Sequence, residues 1–283
     1  MEHIFDLVSK RIDIEDEVER LITMTQEEKI IKNGEDYMRD YYYTLFEFVG
    51  KYTFKMWRHR DHCVDMTDYL KVLEYYEMEE EAISNTETLL LVIELMYNFW
   101  MQAFMYIETH DYFEGVNNFY HLKTVLDDLV EKHNHKVELL DDNRMVKVVP
   151  NKPGVDEVVE ILPDNVGFDT VMFNHSSLKA NLPEKRKILI ELGKVLEPQR
   201  DILKKENKDL EDDIFCMLNS MDIRHNNTSE ADEKQYRSVV ADMNEREIEE
   251  WYNELYEMML LGFLTLKNIN RKDKVKELRN KMR

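Results

Sequence analysis

The residues with the most chemical potential in a short stretch lie between Asn219 and Thr228, in the run Asn-Ser-Met-Asp-Ile-Arg-His-Asn-Asn-Thr. Helical spacing places Asn219, Asp222, His225 and Asn226 near one face, with Arg224 able to reach it from the helix end and Asn227 close behind. A carboxylate, an imidazole, a guanidinium and several amides would then converge. Metal-free cleavage of RNA uses such a set: a histidine moves a proton to or from a ribose 2′-hydroxyl or the leaving oxygen, and an arginine stabilises the charge that builds on the phosphorane. In that chemistry His225 is the acid or base, Arg224 the electrostatic clamp and Asp222 the group that orients the imidazole, with Asn219, Asn226 and Asn227 as binding residues. The same residues also make a good helix stop, because Asn tolerates the left-handed cap and Arg and His favour the last turn. Site and cap therefore stand as alternative readings.

A second cluster, Trp57-Arg-His-Arg-Asp-His-Cys63, sets His59 and His62 one helical turn apart with Cys63 beside them. No further pair of His or Cys stands at a partner spacing, so a charged helix end is expected rather than a metal centre. His133 and His135 end a helix, where a cation suits the negative end of the dipole. The chain contains no glycine-rich phosphate loop, no Gly-x-Ser-x-Gly elbow and no His-Glu-x-x-His pair, which removes the commonest nucleotide, hydrolase and metalloprotease signatures. No metal and no cofactor is expected.

The elements that must position these residues are predominantly helices. The chain has 7 Gly and 5 Pro, and every Pro lies between Pro150 and Pro198, so the segments on either side lack the strongest helix breaker. Apolar spacing predicts helices over 3–23, over an aromatic run from Glu35 to about Arg60, and over 113–133. Thr25-Gln-Glu-Glu28 and Ser84-Asn-Thr-Glu87 have capping-box spacing. The second opens the most apolar stretch, Leu89–Ile107, near the length of a membrane span. Glu94, Asn98 and Gln102 recur along it every four residues, a polar ribbon that suits a central bundle helix better than lipid; the ribbon either bonds neighbouring elements or lines a cleft. Lys136–Leu140 and Arg144–Val149 flank Asp141-Asp-Asn143 and read as a β-hairpin. After Pro183, helices follow over 184–206, bent at Pro198, over about 210–221, and from Asn244-Glu-Arg-Glu247 onward. The expected fold is all-α, mainly a helical bundle, with one small β-hairpin insertion near residues 136–149. The expected division is an N-terminal bundle over 1–135, a hairpin and Pro-containing connector over 136–183, and a C-terminal helical part over 184–283.

The C-terminal third resembles the HEPN-type helical bundles of bacterial abortive-infection and toxin proteins. The resemblance rests on Lys185-Arg-Lys-Ile-Leu, Leu196-Glu-Pro198, Leu218-Asn219, Ile223-Arg-His-Asn-Asn227 and Glu250-Trp-Tyr-Asn-Glu-Leu-Tyr256, and covers about residues 184–268. It implies a bundle, often dimeric, in which an Arg, a neighbouring polar residue and a His several positions later cut RNA without metal. Arg224 and His225 match the start of that pattern, whereas Thr228, Ser229 and Glu230 stand where the later His belongs. The resemblance thus implies either a ribonuclease in which His225 takes that role or an inactive, protein-binding relative.

A net charge of −21 repels phosphate backbones and anionic lipid at long range. RNA would have to bind at a local site, and no membrane association is expected. Arg271 to Arg283 carries a local excess of about five positive charges, expected as a solvated last helix. Two separated cysteines, Cys63 and Cys216, suit a reducing cytoplasm, and the acidic first residues carry no secretory pattern. Two function classes follow: a phage-defence or toxin-like ribonuclease acting through Arg224 and His225, and a non-catalytic acidic interaction protein (a regulatory, immunity or anti-defence subunit) with a basic protein partner. A homodimer is expected in either, with Trp251, Tyr252 and the Met-rich last helix as its apolar face.

Overall fold

Helices carry most of the chain, and the computed structural model describes them over residues 14–35, 39–140, 145–231 and 233–282. The chain divides into two units, Met1–Pro150 and Asn151–Arg283. Mainly helical architecture with a small β-hairpin is what the apolar spacing predicts. The expected first helix is seen as Ile14–Ile22 (α1), its earlier residues lying outside those described.

In the first unit, α1 leads through a wide turn at Thr23–Glu27 to strands Ile31–Asn33 (β1) and Tyr41–Tyr43 (β2). Helices Leu45–Phe48 (α2), Met66–Val72 (α3), Tyr75–Ala82 (α4) and Thr86–Ile107 (α5) follow, then Phe113–Gly115 (β3) and Asn117–Lys132 (α6). The hairpin His135–Leu140 (β4) and Met145–Pro150 (β5) completes the unit. β1 lies between β2 and β3, antiparallel to both.

One expected helix does not form, and another is helical only over its later half, through Leu45–Phe48, Val49–Thr53 and Phe54–Met56. Thr25 opens none: it is buried, and its hydroxyl donates to the Leu21 carbonyl at 2.6 Å, a back-bond that takes the side chain away from capping. The aromatic run does not form one helix from Glu35 either. Tyr41–Tyr43 pairs with β1, because consecutive tyrosines suit a pleated surface better than a helix. Helical structure starts only at Thr44, whose side chain closes a capping box with Glu47. Within the aromatic run, Phe48 is buried and packs on Phe113 with ring centres 5.1 Å apart, whereas Tyr41 is exposed; Tyr37 lies outside the described residues.

Among the described residues α5 alone has the length and hydropathy of a membrane span, and it is mostly buried within its own unit. Two of the three residues in its polar ribbon bond neighbours, and the third, Gln102, lines a pocket. Asn98 donates to the Val146 carbonyl at 2.9 Å and accepts from the Val146 N–H at 2.8 Å. Glu94 accepts from the Val148 N–H at 2.8 Å and from Lys147 Nζ at 2.7 Å. Together these side chains satisfy the backbone on the free edge of β5, which would otherwise be buried unpaired. The hairpin pairs His135 with Pro150 through Leu140 with Met145, around a turn that lies outside the described residues.

The second unit contains Pro153–Val159 (α7), Asp164–Met172 (α8), Leu182–Leu196 (α9), Arg200–Glu206 (α10), Lys208–Ser220 (α11), Ser238–Ala241 (α12) and Glu245–Lys281 (α13). The bend at Pro198 is a 3-10 turn, Glu197–Gln199. The division between units thus falls after the hairpin. Val155, Val158 and Val166 join the core of Leu192, Ile214 and Tyr256, so the Pro-bearing stretch contributes to the C-terminal helices. Tyr256 stacks on Phe173 at 4.1 Å and donates to the Thr170 carbonyl at 2.7 Å. Glu211, fully buried, is held by Arg200 and by Lys204 at 2.9 Å.

Candidate functional site

The polar run begins on α11 and leaves it at once. Asn207 caps the start of α11 by accepting from the Leu210 N–H at 3.2 Å, and the helix stops at Ser220. Asp222 then takes a left-handed backbone angle, φ 56°, a conformation that Asp and Asn tolerate through local side-chain bonding. The shared helical face expected for Asn219, Asp222, His225 and Asn226 therefore does not form, because only Asn219 is still helical. Asp222 occupies the left-handed position expected of an Asn.

What forms is a closed turn. The Asp222 N–H donates to Asn227 Oδ1 and the Asn227 N–H donates to Asp222 Oδ1, each at 2.9 Å. Asn227 is fully buried; its Nδ2 donates to the Gln235 carbonyl at 2.6 Å, and its carbonyl accepts from the Arg237 N–H at 2.8 Å. Arg186, on α9, donates from Nε to the Ile223 carbonyl at 3.0 Å and stands 3.9 Å from Asp222 Oδ2. Asp222 thus bonds the turn and faces Arg186, leaving the imidazole of His225 without it.

Arg224 turns to a different set of partners. Its guanidinium meets Glu197 at 2.5 Å and lies 5.5 Å from the centre of the Phe215 ring. It passes so near Gly193 that a Cβ there would stand 3.1 Å from the guanidinium, which explains a glycine in the middle of a helix. Arg224 also lines a depression of about 530 Å³ with Ile190, Lys194, Glu197 and Pro198. Both cations there have carboxylates, since Lys194 pairs with Glu191 at 2.6 Å. His225 and Asn226 are exposed. The Asn226 side chain accepts from the Ser229 N–H at 3.1 Å, and His225 makes no hydrogen bond or ion pair among the described residues. Asn219 is half-buried in the last turn of α11.

Two further sites lie away from this turn. In the first unit, Trp57, Tyr106, Met56 and Met105 wall a pocket of about 410 Å³ that His59 and His110 also line. His62 is exposed and Cys63 buried, and no group of three or more His, Cys, Asp or Glu suited to a metal occurs among the described residues. In the second unit, Met243, Glu247, Glu250, Trp251 and Glu254 line a groove of about 460 Å³. Trp251 is 45% exposed, a large indole face rimmed by carboxylates. The spacing of Glu247, Glu250, Trp251 and Glu254 puts them on one helix face, a signal readable in the sequence as an acidic rim on the aromatic stripe. Comparison with protein-family models, curated proteins and solved structures gives no match for this chain, so the HEPN-like resemblance stands on the quoted residues alone.

Proposed function

We propose that this chain is a non-catalytic, acidic helical interaction protein that engages a basic partner. One observation carries the reading: Arg224 is tied to Glu197 at 2.5 Å while Asp222 is locked to Asn227, so two of the three residues suited to phosphoryl chemistry hold the fold. The groove at Trp251 has what a basic side chain needs, a π face for a cation and three glutamates around it. Such a subunit works in the cytoplasm, where Cys63 and Cys216 stay reduced. The test uses oligo-arginine as probe, read by tryptophan fluorescence; Trp57 and Trp100 are buried, so the signal reports Trp251. Saturable quenching that weakens with salt and disappears in Trp251→Ala supports the reading. Absence of binding at low salt sinks it.

A second reading, a metal-independent endoribonuclease of phage-defence, abortive-infection or toxin type, draws on exposed His225 and on Arg224 lining an open depression. It requires Arg224 to leave Glu197 for a phosphate. RNA degradation in EDTA that vanishes in a folded Arg224→Ala/His225→Ala variant would establish it, and a folded wild type that leaves RNA intact would remove it.

A further inference from the structure

The last helix is longer than its own unit can cover. From Arg271 to Met282 every side chain described is exposed, yet Val275, Leu278 and Met282 are 46%, 55% and 69% exposed at helical spacing. Arg271 and Lys272 still reach Glu157 and Glu206 of the same unit at 2.8 and 2.6 Å, and the exposed helical end beyond them is marginal in water. Upstream, Trp251 and Leu261 are 45% and 51% exposed on the same helix. Trp251, Met258, Thr265, Lys272 and Arg279 form one seven-residue series, and Glu254, Leu261, Asn268, Val275 and Met282 form the other. Every member is exposed or half-buried, with Met258 resting partly on the core of its own unit and Lys272 paired to Glu206 at 2.6 Å, and the two series share the spacing of a coiled-coil seam.

Charge is segregated along the helix, and on the seam itself the acidic half holds Glu254 and the basic half Lys272 and Arg279. Six glutamates lie between Glu245 and Glu257, and seven Lys or Arg between Lys267 and Lys281. The basic end cannot reach the acidic groove of its own helix: Trp251 and Met282 are about 46 Å apart at the α-helical rise. In a parallel pair of such helices acid would face acid and base would face base. In an antiparallel pair each acidic half meets a basic half.

We propose that two copies of this chain associate through α13, antiparallel, about a two-fold axis between Leu266 and Lys267. This arrangement rests on the interaction-protein reading and names its partner as a second copy. In this register Trp251 faces Met282 of the second copy, Glu254 faces Arg279, Met258 faces Val275, and Leu261 lies under the stem of Lys272. Met282 lies against the edge of Trp251, a sulfur–aromatic contact, and Arg279 brings the basic group to Glu254 on the rim of the same groove. Glu254 and Arg279 make no ion pair among the described residues, so both carry unspent charge to the contact. Thr265 meets Asn268 next to the axis, a polar layer that sets register at some cost in affinity. Only about half of the seam is apolar, so association falls in the micromolar range.

Sedimentation velocity of the full chain over a concentration series reads the association directly. Glu254→Arg and Arg279→Glu each weaken it by roughly tenfold, because each replaces two attractive contacts by repulsive ones in the symmetric pair. The chain carrying both substitutions recovers wild-type association, since each reversed charge again faces its opposite. Orientation is read separately in a Cys216→Ser background. Met258→Cys with Val275→Cys forms a disulfide-linked dimer on oxidation, whereas Met258→Cys alone does not. A chain that stays monomeric up to several hundred micromolar, a double charge variant that fails to recover, or cross-linking by Met258→Cys alone overturns the proposal. A monomer that still binds oligo-arginine at Trp251 overturns the self-pairing while leaving the interaction reading intact.

Discussion

Asn227 shows how a polar residue that looks available for chemistry is consumed by backbone accounting. It is fully buried, and its backbone and side chain together close the turn through Asp222, Gln235 and Arg237. Replacing it by Ala leaves the Asp222 N–H and the Gln235 carbonyl without that partner, so Asn227→Ala should lower stability by about 2–3 kcal/mol, measured as a fall in the urea midpoint at unchanged slope. Lys185 is a second such residue, 4% exposed, with its ammonium 2.7 Å from Glu249 and 2.9 Å from Asn253. Burial, the largest single influence, raises the Glu249 pKa, but the hydrogen bonds from Lys185 and from the Ala180 N–H, together with the charges of Lys185 and Lys179, outweigh it and hold the carboxyl below its ordinary value. Its stabilisation is therefore present above the unfolded pKa and is lost as pH falls through the folded one. Glu249→Gln should cost roughly 3 kcal/mol at neutral pH, because it strands a buried ammonium. That deficit against wild type should shrink on acidification below about pH 4.5, in urea titrations at stepped pH; a deficit that stays constant through the acid range would show that the carboxylate's charge does not matter.

At the scale of elements, side chains on one helix finish the hydrogen bonding of a strand. α5 presents Asn98 and Glu94 to β5, and among the described residues the hairpin has no other strand on that edge. Asn98→Ala leaves the amide and carbonyl of Val146 unpaired in a buried setting, at a cost of about 2–4 kcal/mol, with faster hydrogen exchange at Val146 than at its neighbours in β4. Asn98→Asp separates the roles, since the carboxylate still accepts from the Val146 N–H but cannot donate to its carbonyl. The start of α13 is an independent element with its own cap. Asn244 and Glu247 satisfy each other's backbone N–H groups at 3.1 and 2.9 Å. Asn244→Ala should cost about 1 kcal/mol in thermal or urea unfolding, and it should leave sedimentation unchanged because the cap lies outside the seam.

For the whole molecule, the excess of 59 acidic over 38 basic side chains is a fact about solubility and partners, and it acts with two opposite signs. Self-repulsion weakens the folded state, so screening should raise the unfolding midpoint as salt rises from low concentration toward about 0.5 M. Attraction of a basic probe is weakened over the same range. Parallel melting and binding series in sodium chloride check this: a probe whose binding is insensitive to salt would be held by apolar contact alone. The two units have separate cores, so each needs its own reporter in unfolding experiments.

Much of the architecture was legible before any tertiary contact was known. The long helices at Thr86–Ile107 and Glu245–Lys281, the break at Pro198, the hairpin strands and the cap at Asn244 all follow from local spacing, because helix period, proline and capping residues act within a few positions of the chain. The strands at Ile31–Asn33 and Tyr41–Tyr43 were not legible, since a three-residue strand exists only through its partner across the sheet. The candidate site was legible as a set of residue types but not as an arrangement. Helical spacing predicted convergence, and the left-handed turn at Asp222 sent Arg224 toward Glu197 and left His225 in solvent. Whether a charged group serves chemistry or the fold depends on which opposite charge reaches it first, and that is a distance between segments far apart in the chain, which only the tertiary structure decides.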